Sequence, residues 1–287
     1  NRVLYYSPAD LTSSRLGSIA ASDLWGQADF AGTHCNRGAV DQLVFDNSLC
    51  LGEKPGGAQA IAGVDIDEAG NLWVADTVNH RVVRFPYDSS VGRATHQADL
   101  VLGQSDMSSS TQGISMDKLR YPTAVRVTRD LKVYVADGEN NRVQVFVPPL
   151  RTGMKASSSI VGLQRPLGLE LADDDSLWVS EYNSRAASHY VNGLLQQQLA
   201  LGGYGGFGGV GIDRDNNLLT TSWHTPLLVR ALSPSYTVRT ELFHADTGKY
   251  WANHRAIGET YHSDSLAVSS DQLVVSDYDR LLYWNEP

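Results

Sequence analysis

Short apolar runs recur in a fixed order along this chain, and turn-forming residues separate them. The runs are rich in Val, Leu, Ile, Trp and Tyr, and no comparable helical spacing lies between them. Runs of this kind, bounded by Gly, Asn and Asp, predict β-strands. The first clear copy has its runs at 63–67, 72–76 and 81–85, and the second has them at 124–128, 133–137 and 142–146.

Looser copies of the same phrase begin near residues 168, 210 and 265, and a candidate fourth run follows most third runs. Residues 1–6 read as the third run of a further copy, and residues 23–27 read as its fourth. Repetition in a fixed order indicates stacked units of supersecondary structure. Four antiparallel strands in each unit predict an all-β protein, a β-propeller.

The turn after the second run carries the pattern Asp-x-x-Asn-x-Arg-Val in both clear copies, as Asp76, Asn79, Arg81 and Asp137, Asn140, Arg142. This pattern resembles the NHL-repeat family, in the form found in exported bacterial proteins, over nearly the whole chain. The resemblance implies a single propeller domain over residues 1–287 with six blades. Five copies and a fragment fit six blades if strands from both termini close the ring, and a five-bladed ring is the alternative.

The polar residues of the pattern have a structural explanation. The two Asp carboxylates can accept backbone N–H bonds in the turn, and the Asn side chains can cap it. The two Arg side chains can pair with those carboxylates or with a neighbouring blade. We therefore do not expect these residues to form a catalytic set.

The composition of the chain excludes some classes of function. The chain has 287 residues, 42% of them hydrophobic, with a net charge of −9. The acidic balance argues against a nucleic-acid partner, which needs clustered Lys and Arg. No apolar run approaches the roughly 20 residues that span a bilayer.

The chain has two cysteines, Cys35 and Cys50, in one N-terminal stretch. We expect them to form a disulfide, and two unpaired buried thiols are the alternative. A disulfide indicates an oxidising compartment, which is extracellular or periplasmic.

The repeat is interrupted on the face that should carry the second-to-third turns and the connections between blades, called here the top face. Several aromatic, imidazole and carboxylate side chains lie at these interruptions. We predict binding by Tyr182, Trp223, His224, Trp251, His254 and His262, with His224, His262, Asp264 and Glu181 as catalytic candidates. Such residues could bind a divalent metal, zinc or calcium, or act as an acid–base pair. The alternative is that they are ordinary loop residues.

Three charged residues, Asp65, Arg126 and Glu170, stand at the middle of the first run in consecutive copies. We expect first strands to line a central tunnel, so these side chains should form a row of alternating charge. The row could act as a salt-bridged plug, or it could bind a substrate or an ion.

The chain contains none of the catalytic motifs of serine hydrolases, zinc proteases or cysteine enzymes. The favoured prediction is a non-catalytic recognition or scaffolding propeller that binds a protein, peptide or glycan through its top-face loops, alone or within a larger assembly. The alternative is a metal-dependent lyase or hydrolase with its site at the mouth of the propeller. The architecture is also similar to that of the amidating lyases, although Asp264 stands where those enzymes have a zinc-binding histidine.

Overall fold

The computed structural model describes residues 1–7, 20–38, 43–52 and 62–200, and seven strands between residues 207 and 285. Nearly all regular structure in these residues is β-strand, and the helical elements are short 3₁₀ turns at Cys35–Gly38, Thr77–Asn79 and Gly138–Asn140. No helix in the described residues is long and apolar enough to cross a membrane. The prediction of an all-β protein is confirmed.

The N-terminal residues form a small sheet of their own, and the first four-stranded sheet follows it. In the N-terminal sheet, β1 (Val3–Tyr5) pairs antiparallel with β2 (Asp23–Trp25). Sheet A has the order β3 (Val64–Ile66), β4 (Leu72–Asp76), β5 (Arg81–Phe85) and β8 (Leu100–Leu102). A ribbon of β6 (Tyr87–Asp88) and β7 (Arg93–Ala94) lies between β5 and β8 in the chain.

Sheets B and C repeat the antiparallel order of sheet A. Sheet B contains β9 (Pro122–Val127), β10 (Val133–Asp137), β11 (Arg142–Phe146) and β12 (Ser158–Ile160). Sheet C contains β13 (Pro166–Leu171), β14 (Leu177–Glu181), β15 (Ala186–Val191) and β16 (Leu194–Ala200). Every residue of β4 and of β14 is buried, because neighbouring sheets cover both faces of a second strand.

The C-terminal part of the chain forms two more sheets. Sheet D contains β17 (Phe207–Ile212), β18 (Leu218–Ser222), β19 (Val229–Leu232) and β20 (Val238–Phe243). Sheet E contains three described strands, β21 (Ser263–Val268), β22 (Gln272–Asp277) and β23 (Arg280–Asn285).

Buried apolar clusters join each sheet to the next one along the chain. Because apolar burial is the main favourable term in folding, these clusters fix the order in which the sheets stack. Trp25 and Phe85 share a cluster between the N-terminal sheet and sheet A, and Trp73 and Val125 share one between sheets A and B. Val143 and Leu169 share a cluster between sheets B and C, and Trp178 and Val210 share one between sheets C and D. Successive antiparallel sheets packed in this way have the organisation of propeller blades.

The N-terminal sheet matches the outer half of a blade, as the sequence predicts. Val3 pairs with Trp25 in the same register as Val82 with Leu102 in sheet A. The prediction that strands from both termini close the ring is not confirmed. Among the described strands, those of the N-terminal sheet and those of sheet E belong to separate sheets.

The predicted disulfide between Cys35 and Cys50 is present, with its Cα atoms 4.4 Å apart. It lies in the connection that leads into sheet A. The backbone N–H of Cys50 donates to Asp76 at 2.7 Å, so the bridged loop is attached directly to the second strand of that sheet.

Candidate functional site

On the top face, the second-to-third turns of sheets B and C are hydrogen-bonded to the connections that lead into the same sheets. The backbone N–H of Glu139 donates to the carbonyl of Arg120 at 3.2 Å, and that of Tyr182 donates to the carbonyl of Arg165 at 3.0 Å. Each bond joins the turn of one sheet to the connection that leads into that sheet. Residues from neighbouring sheets therefore converge on this face.

In sheets A, B and C, a buried carboxylate at the end of the second strand holds the incoming connection. Asp76 and Asp137 accept the backbone N–H groups of Cys50 and Arg120, each at 2.7 Å. The sequence predicts donors in the turn after the second strand, whereas these two N–H groups come from the connection. In return, backbone N–H groups of the turns donate to the connections, that of Val78 to the carbonyl of Cys50 and that of Glu139 to the carbonyl of Arg120.

The arginines of the repeat extend from these carboxylates into the connections. The Nε atoms of Arg81 and Arg142 lie 2.7 and 2.8 Å from Asp76 and Asp137. Burial raises the pKa of Asp137, and the hydrogen bonds from Asn140, Arg120 and Arg142 act in the opposite direction. The remaining guanidinium N–H groups donate to main-chain carbonyls, those of Phe45, Ser48 and Met107 for Arg81 and those of Ile114, Ser115 and Lys118 for Arg142.

Glu181 occupies the carboxylate position of sheet C and is 1% exposed. It accepts the backbone N–H of Gln164 at 2.7 Å. Its other oxygen accepts hydrogen bonds from the side chains of Ser188 and Gln198. Ala186 pairs with Glu181 in the position that Arg81 and Arg142 take in sheets A and B. The structure thus places this candidate catalytic residue inside the sheet, where it holds the connection.

A partly exposed group of three side chains spans sheets B and C on the top face, and we call it the top-face group. The guanidinium carbon of Arg165 lies 4.8 Å from the centre of the Tyr182 ring. The Nε atom of Arg165 lies 3.4 Å from a carboxylate oxygen of Glu139, and these two side chains are 29% and 30% exposed. A guanidinium stacked on an aromatic ring in this way is a stabilising cation–π contact. Tyr182, a predicted binding residue, is half-buried here.

The backbone of Arg165 is held in a left-handed conformation, with φ of 58°. Its N–H donates to the side-chain oxygen of Asn141 at 2.9 Å, across the boundary between sheets B and C. Tyr121 takes the same place at the boundary between sheets A and B, with φ of 50°. Its N–H donates to Nδ1 of His80 at 3.2 Å, and the two rings meet edge to face at 4.4 Å between centroids.

The predicted row of charges lies on the first strands of sheets A, B and C. Arg126 Nη2 is 3.1 Å from a carboxylate oxygen of Glu170. Asp65 accepts the backbone N–H of Val127 at 2.8 Å, beside Arg126. Burial raises the pKa of both Asp65 and Glu170, and the nearby Arg126 lowers both. Burial alone would lower the pKa of Arg126, but the two carboxylates raise it.

The other candidates of the sequence analysis lie outside the described residues, namely Trp223, His224, Trp251, His254 and His262. Asp264 belongs to β21, and its side chain is not described. In the part of the chain that the structure describes, no three His, Cys, Asp or Glu side chains are close enough to share a metal ion.

Comparisons with known proteins bear on the fold. Residues 61–85 and 119–146 match the family profile of the NHL repeat. The chain contains NHL repeats. The matched residues of these NHL repeats comprise the first three strands of sheet A and of sheet B. A search of curated proteins found no significant match.

Solved structures similar to this NHL-repeat chain include two propeller lyases. One is the streptogramin B lyase, with a TM-score of 0.52, 10% sequence identity, and coverage of 74% of this chain and 60% of the lyase. The other is a catalytically inactive variant of virginiamycin B lyase from Staphylococcus aureus with quinupristin. It has a TM-score of 0.53 and 12% identity, and covers 81% of this chain and 72% of the lyase. The chain thus spans less than two thirds of the first lyase, and identities this low show the fold alone.

The sequence analysis missed Arg165, Glu139, Tyr121 and His80. One signal was present, since Tyr121 and Arg165 both stand directly before the proline that opens a first strand. The residue before a proline is restricted in its backbone conformation, so these two positions mark a fixed place in each connection. Their neighbours across the sheet boundary could not be found from spacing alone.

Proposed function

We propose that this chain is a non-catalytic recognition propeller that binds a protein, peptide or glycan partner through its top-face loops. The observation that carries the proposal is the top-face group of Glu139, Arg165 and Tyr182. It combines a cation, an aromatic face and a carboxylate, and two neighbouring sheets supply its members. Arg and Tyr are among the residues that most often dominate binding energy at protein interfaces.

The group is already in place before any partner arrives. The hydrogen bond from Arg165 to Asn141 fixes the backbone, and the Tyr182 ring supports the guanidinium. Holding side chains in their bound arrangement reduces the entropy lost on association. A partner carboxylate would compete with Glu139 for the guanidinium, and an apolar ring or a sugar face would pack against Tyr182.

The wider organisation of the chain belongs to the same proposal. The chain is a single domain over residues 1–287, with six blades whose first strands line a central tunnel. It works outside the cytoplasm, because a disulfide in a loop is typical of oxidising compartments. Its top face serves as a contact surface, either for a free partner or within a larger assembly.

The second candidate is a metal-dependent lyase or hydrolase at the mouth of the propeller. The lyase chemistry of the two similar structures favours it, together with the presence of His224, His262 and Asp264 in the sequence. The hydrogen bonds of Glu181 count against a catalytic role for that residue. Recognition is therefore the function we favour.

The test compares the wild-type chain with the Arg165→Ala and Tyr182→Ala variants on a glycan array and against a displayed peptide library. We expect a ligand whose affinity falls about 10-fold or more in each variant, since a tenfold change corresponds to the loss of one good contact. Arg151→Ala removes an exposed arginine of sheet B and should bind as the wild type does. Ligands that bind all variants equally would refute the proposal.

Metal analysis of the purified protein separates the two candidates. Recognition predicts no stoichiometric zinc or calcium. Stoichiometric metal that is lost in a His262→Ala variant would establish the enzyme candidate instead.

A further inference from the structure

The outer strand of sheet C differs from the other outer strands in its length and its charge. β16 has seven residues, whereas β2, β8 and β12 have three each. β20 of sheet D has six residues but contains Arg239 and Glu241, whereas β16 contains no charged residue. Leu194 and Leu195 at the start of β16 are 68% and 54% exposed. Among the described strands, β16 pairs with β15 and with no other strand.

The outer edges of the preceding sheets are protected. An unpaired strand edge can pair with another chain, and proteins block such edges with short strands, charged residues or covering loops. In sheet A, the backbone N–H of Val101 donates to the hydroxyl of Thr152 at 3.3 Å, so the loop between β11 and β12 covers β8. In the N-terminal sheet, Asp23 of β2 pairs with Arg93 of β7. β16 is neither short nor charged, and its exposed leucines show that no loop covers its first residues.

One irregularity of β16 limits where a second chain can pair. Gln196 has no partner in β15, since its neighbours Leu195 and Gln197 pair with consecutive residues of that strand. Such a β-bulge bends the strand locally. From Gln197 to Ala200 the pairing with β15 is continuous. This regular segment is therefore the part of the edge that is suited to pairing.

We propose that this segment, Gln197–Ala200, called here the outer-edge site, pairs antiparallel with the same segment of a second copy of this chain. A strand edge that pairs antiparallel with its own copy has twofold symmetry, which is the commonest symmetry of soluble oligomers. The two four-stranded sheets then form one continuous sheet across the dimer.

The chemistry of the edge favours a second copy as its occupant. A glutamine amide carries both donors and an acceptor, so glutamines of two copies can hydrogen-bond to each other. Each copy has a net charge of −9, and two copies therefore repel each other. Residues 186–212 contain no Asp, Glu, Lys or Arg, so the approach of two copies is least opposed along this part of the chain.

Association of the whole chain is measured by sedimentation velocity at several protein concentrations. We expect a reversible equilibrium in which the fraction of dimer rises with concentration. At high concentration the backbone amides of Gln197–Ala200 should exchange hydrogen more slowly than at low concentration, because pairing protects the amides of a strand edge. The amides of β12, the outer strand of sheet B, should exchange at the same rate at both concentrations.

Gln197→Lys tests the site by placing a positive charge on the edge of each copy. Like charges that face each other across paired strands are destabilising, so the dimer dissociation constant should rise about 5-fold or more. Gln112→Lys makes the same change of net charge at an exposed position of the connection into sheet B, and it should dimerise at least as well as the wild type. Both substitutions make the net charge less negative, so a general effect of charge would strengthen association and not weaken it.

A charge swap then separates a lost contact from a misfolded variant. Gln197→Glu alone should also dimerise poorly, since two carboxylates would repel each other at the edge. An equimolar mixture of Gln197→Glu and Gln197→Lys should recover the association of the wild type, because opposite charges then meet across the paired strands. A variant that fails to fold could not be rescued in this way.

Three results would overturn the proposal. The first is a monomer at every concentration, which would leave the edge to a partner of another kind. The second is equal association of Gln197→Lys and Gln112→Lys, and the third is a mixture of the two charged variants that associates no better than either alone. The outer-edge site does not depend on the proposed recognition function, and Tyr182→Ala should dimerise as the wild type does.

Discussion

The boundary between sheets A and B and the boundary between sheets B and C are built on the same hydrogen bonds with different residues. At both, a buried carboxylate accepts a backbone N–H of the connection. The acceptor is Asp137 at the first boundary and Glu181 at the second. At both, a turn residue of the earlier sheet accepts the N–H of a left-handed residue, through His80 or Asn141. What differs is the length of the connection, which runs over 103–121 at the first boundary and 161–165 at the second.

That difference explains where the arginine of the NHL repeat occurs. Arg142 binds three carbonyls of the long connection and therefore holds this loop against sheet B. The short connection needs no such anchor, and Ala186 stands in the arginine position of sheet C. The arginine is thus a loop clamp, and its presence marks a long top-face connection rather than a catalytic site.

The largest expected effect comes from removing this clamp. Arg142→Ala leaves Asp137 buried without its cation and removes three hydrogen bonds to carbonyls of the connection. Loss of one partner of a buried pair costs about 3–5 kcal/mol. The free energy of unfolding, measured by urea denaturation, should fall by that amount. Arg151→Ala, an exposed substitution of the same kind, should change it by less than about 0.5 kcal/mol. A small effect of Arg142→Ala would mean that the long connection is held without the clamp.

The sequence was sufficient for the all-β architecture of repeated antiparallel sheets and for the existence of the ion pair at the turn. The recurring apolar runs located the strands, and the ion pair of Asp137 and Arg142 was one of the two pairings that the sequence allowed for the arginine. The sequence was also sufficient for the first-strand pair of Arg126 and Glu170 across a boundary, but not for the contacts that the turn residues make there. His80 and Asn141 both accept the backbone N–H of a left-handed residue, although their side chains differ. Because the two positions share no residue type, the sequence did not indicate their common role. Glu181 presented the opposite difficulty. A glutamate at the position of Asp76 and Asp137 suggested a catalytic residue, whereas the structure shows the same hydrogen bond to the incoming connection.

The second largest effect is expected from Gly→Ala substitutions at two glycines, one in the long connection and one in the short connection. Gly103 has φ of 85°, and a Cβ atom there would lie 2.5 Å from the Leu119 side chain. Gly162 has φ of 83°, and nothing lies within 4 Å of its Cβ position. Gly162→Ala should therefore cost only the left-handed strain, roughly 1–2 kcal/mol. Gly103→Ala should cost roughly 1–3 kcal/mol more, because it also overpacks the loop. Equal losses in thermal or chemical unfolding would show that Leu119 moves aside freely.

The third effect tests whether the two boundary acceptors are interchangeable. His80→Asn installs at the first boundary the residue that serves at the second, and it should keep most of the stability. His80→Ala leaves the N–H of Tyr121 without this acceptor, at a cost of about 1 kcal/mol. Asn141→Ala should cost a similar amount at the second boundary. If His80→Asn is as unstable as His80→Ala, the edge-to-face contact with Tyr121 matters more than the hydrogen bond.

The smallest effect concerns the first strands, where the two boundaries use carboxylates differently. Glu170 pairs with Arg126 at the second boundary, whereas Asp65 accepts a backbone N–H at the first. Burial raises the folded-state pKa of both groups, so the folded chain binds protons more readily than the unfolded chain. The free energy of unfolding therefore falls as the pH rises from the ordinary carboxylate pKa, about 4, through the raised pKa of the folded chain.

Glu170→Gln and Asp65→Asn remove this cost of ionisation. Their free energies of unfolding, relative to the wild type, should increase as the pH rises through that window in a series of urea titrations. Asp88→Asn provides the control of opposite sign, because hydrogen bonds from Ser90 lower the pKa of Asp88. Its relative stability should fall as the pH rises. If the wild type instead gained stability relative to Glu170→Gln, the ion pair with Arg126 would outweigh burial at the second boundary, and the two boundaries would differ in sign as well as in geometry.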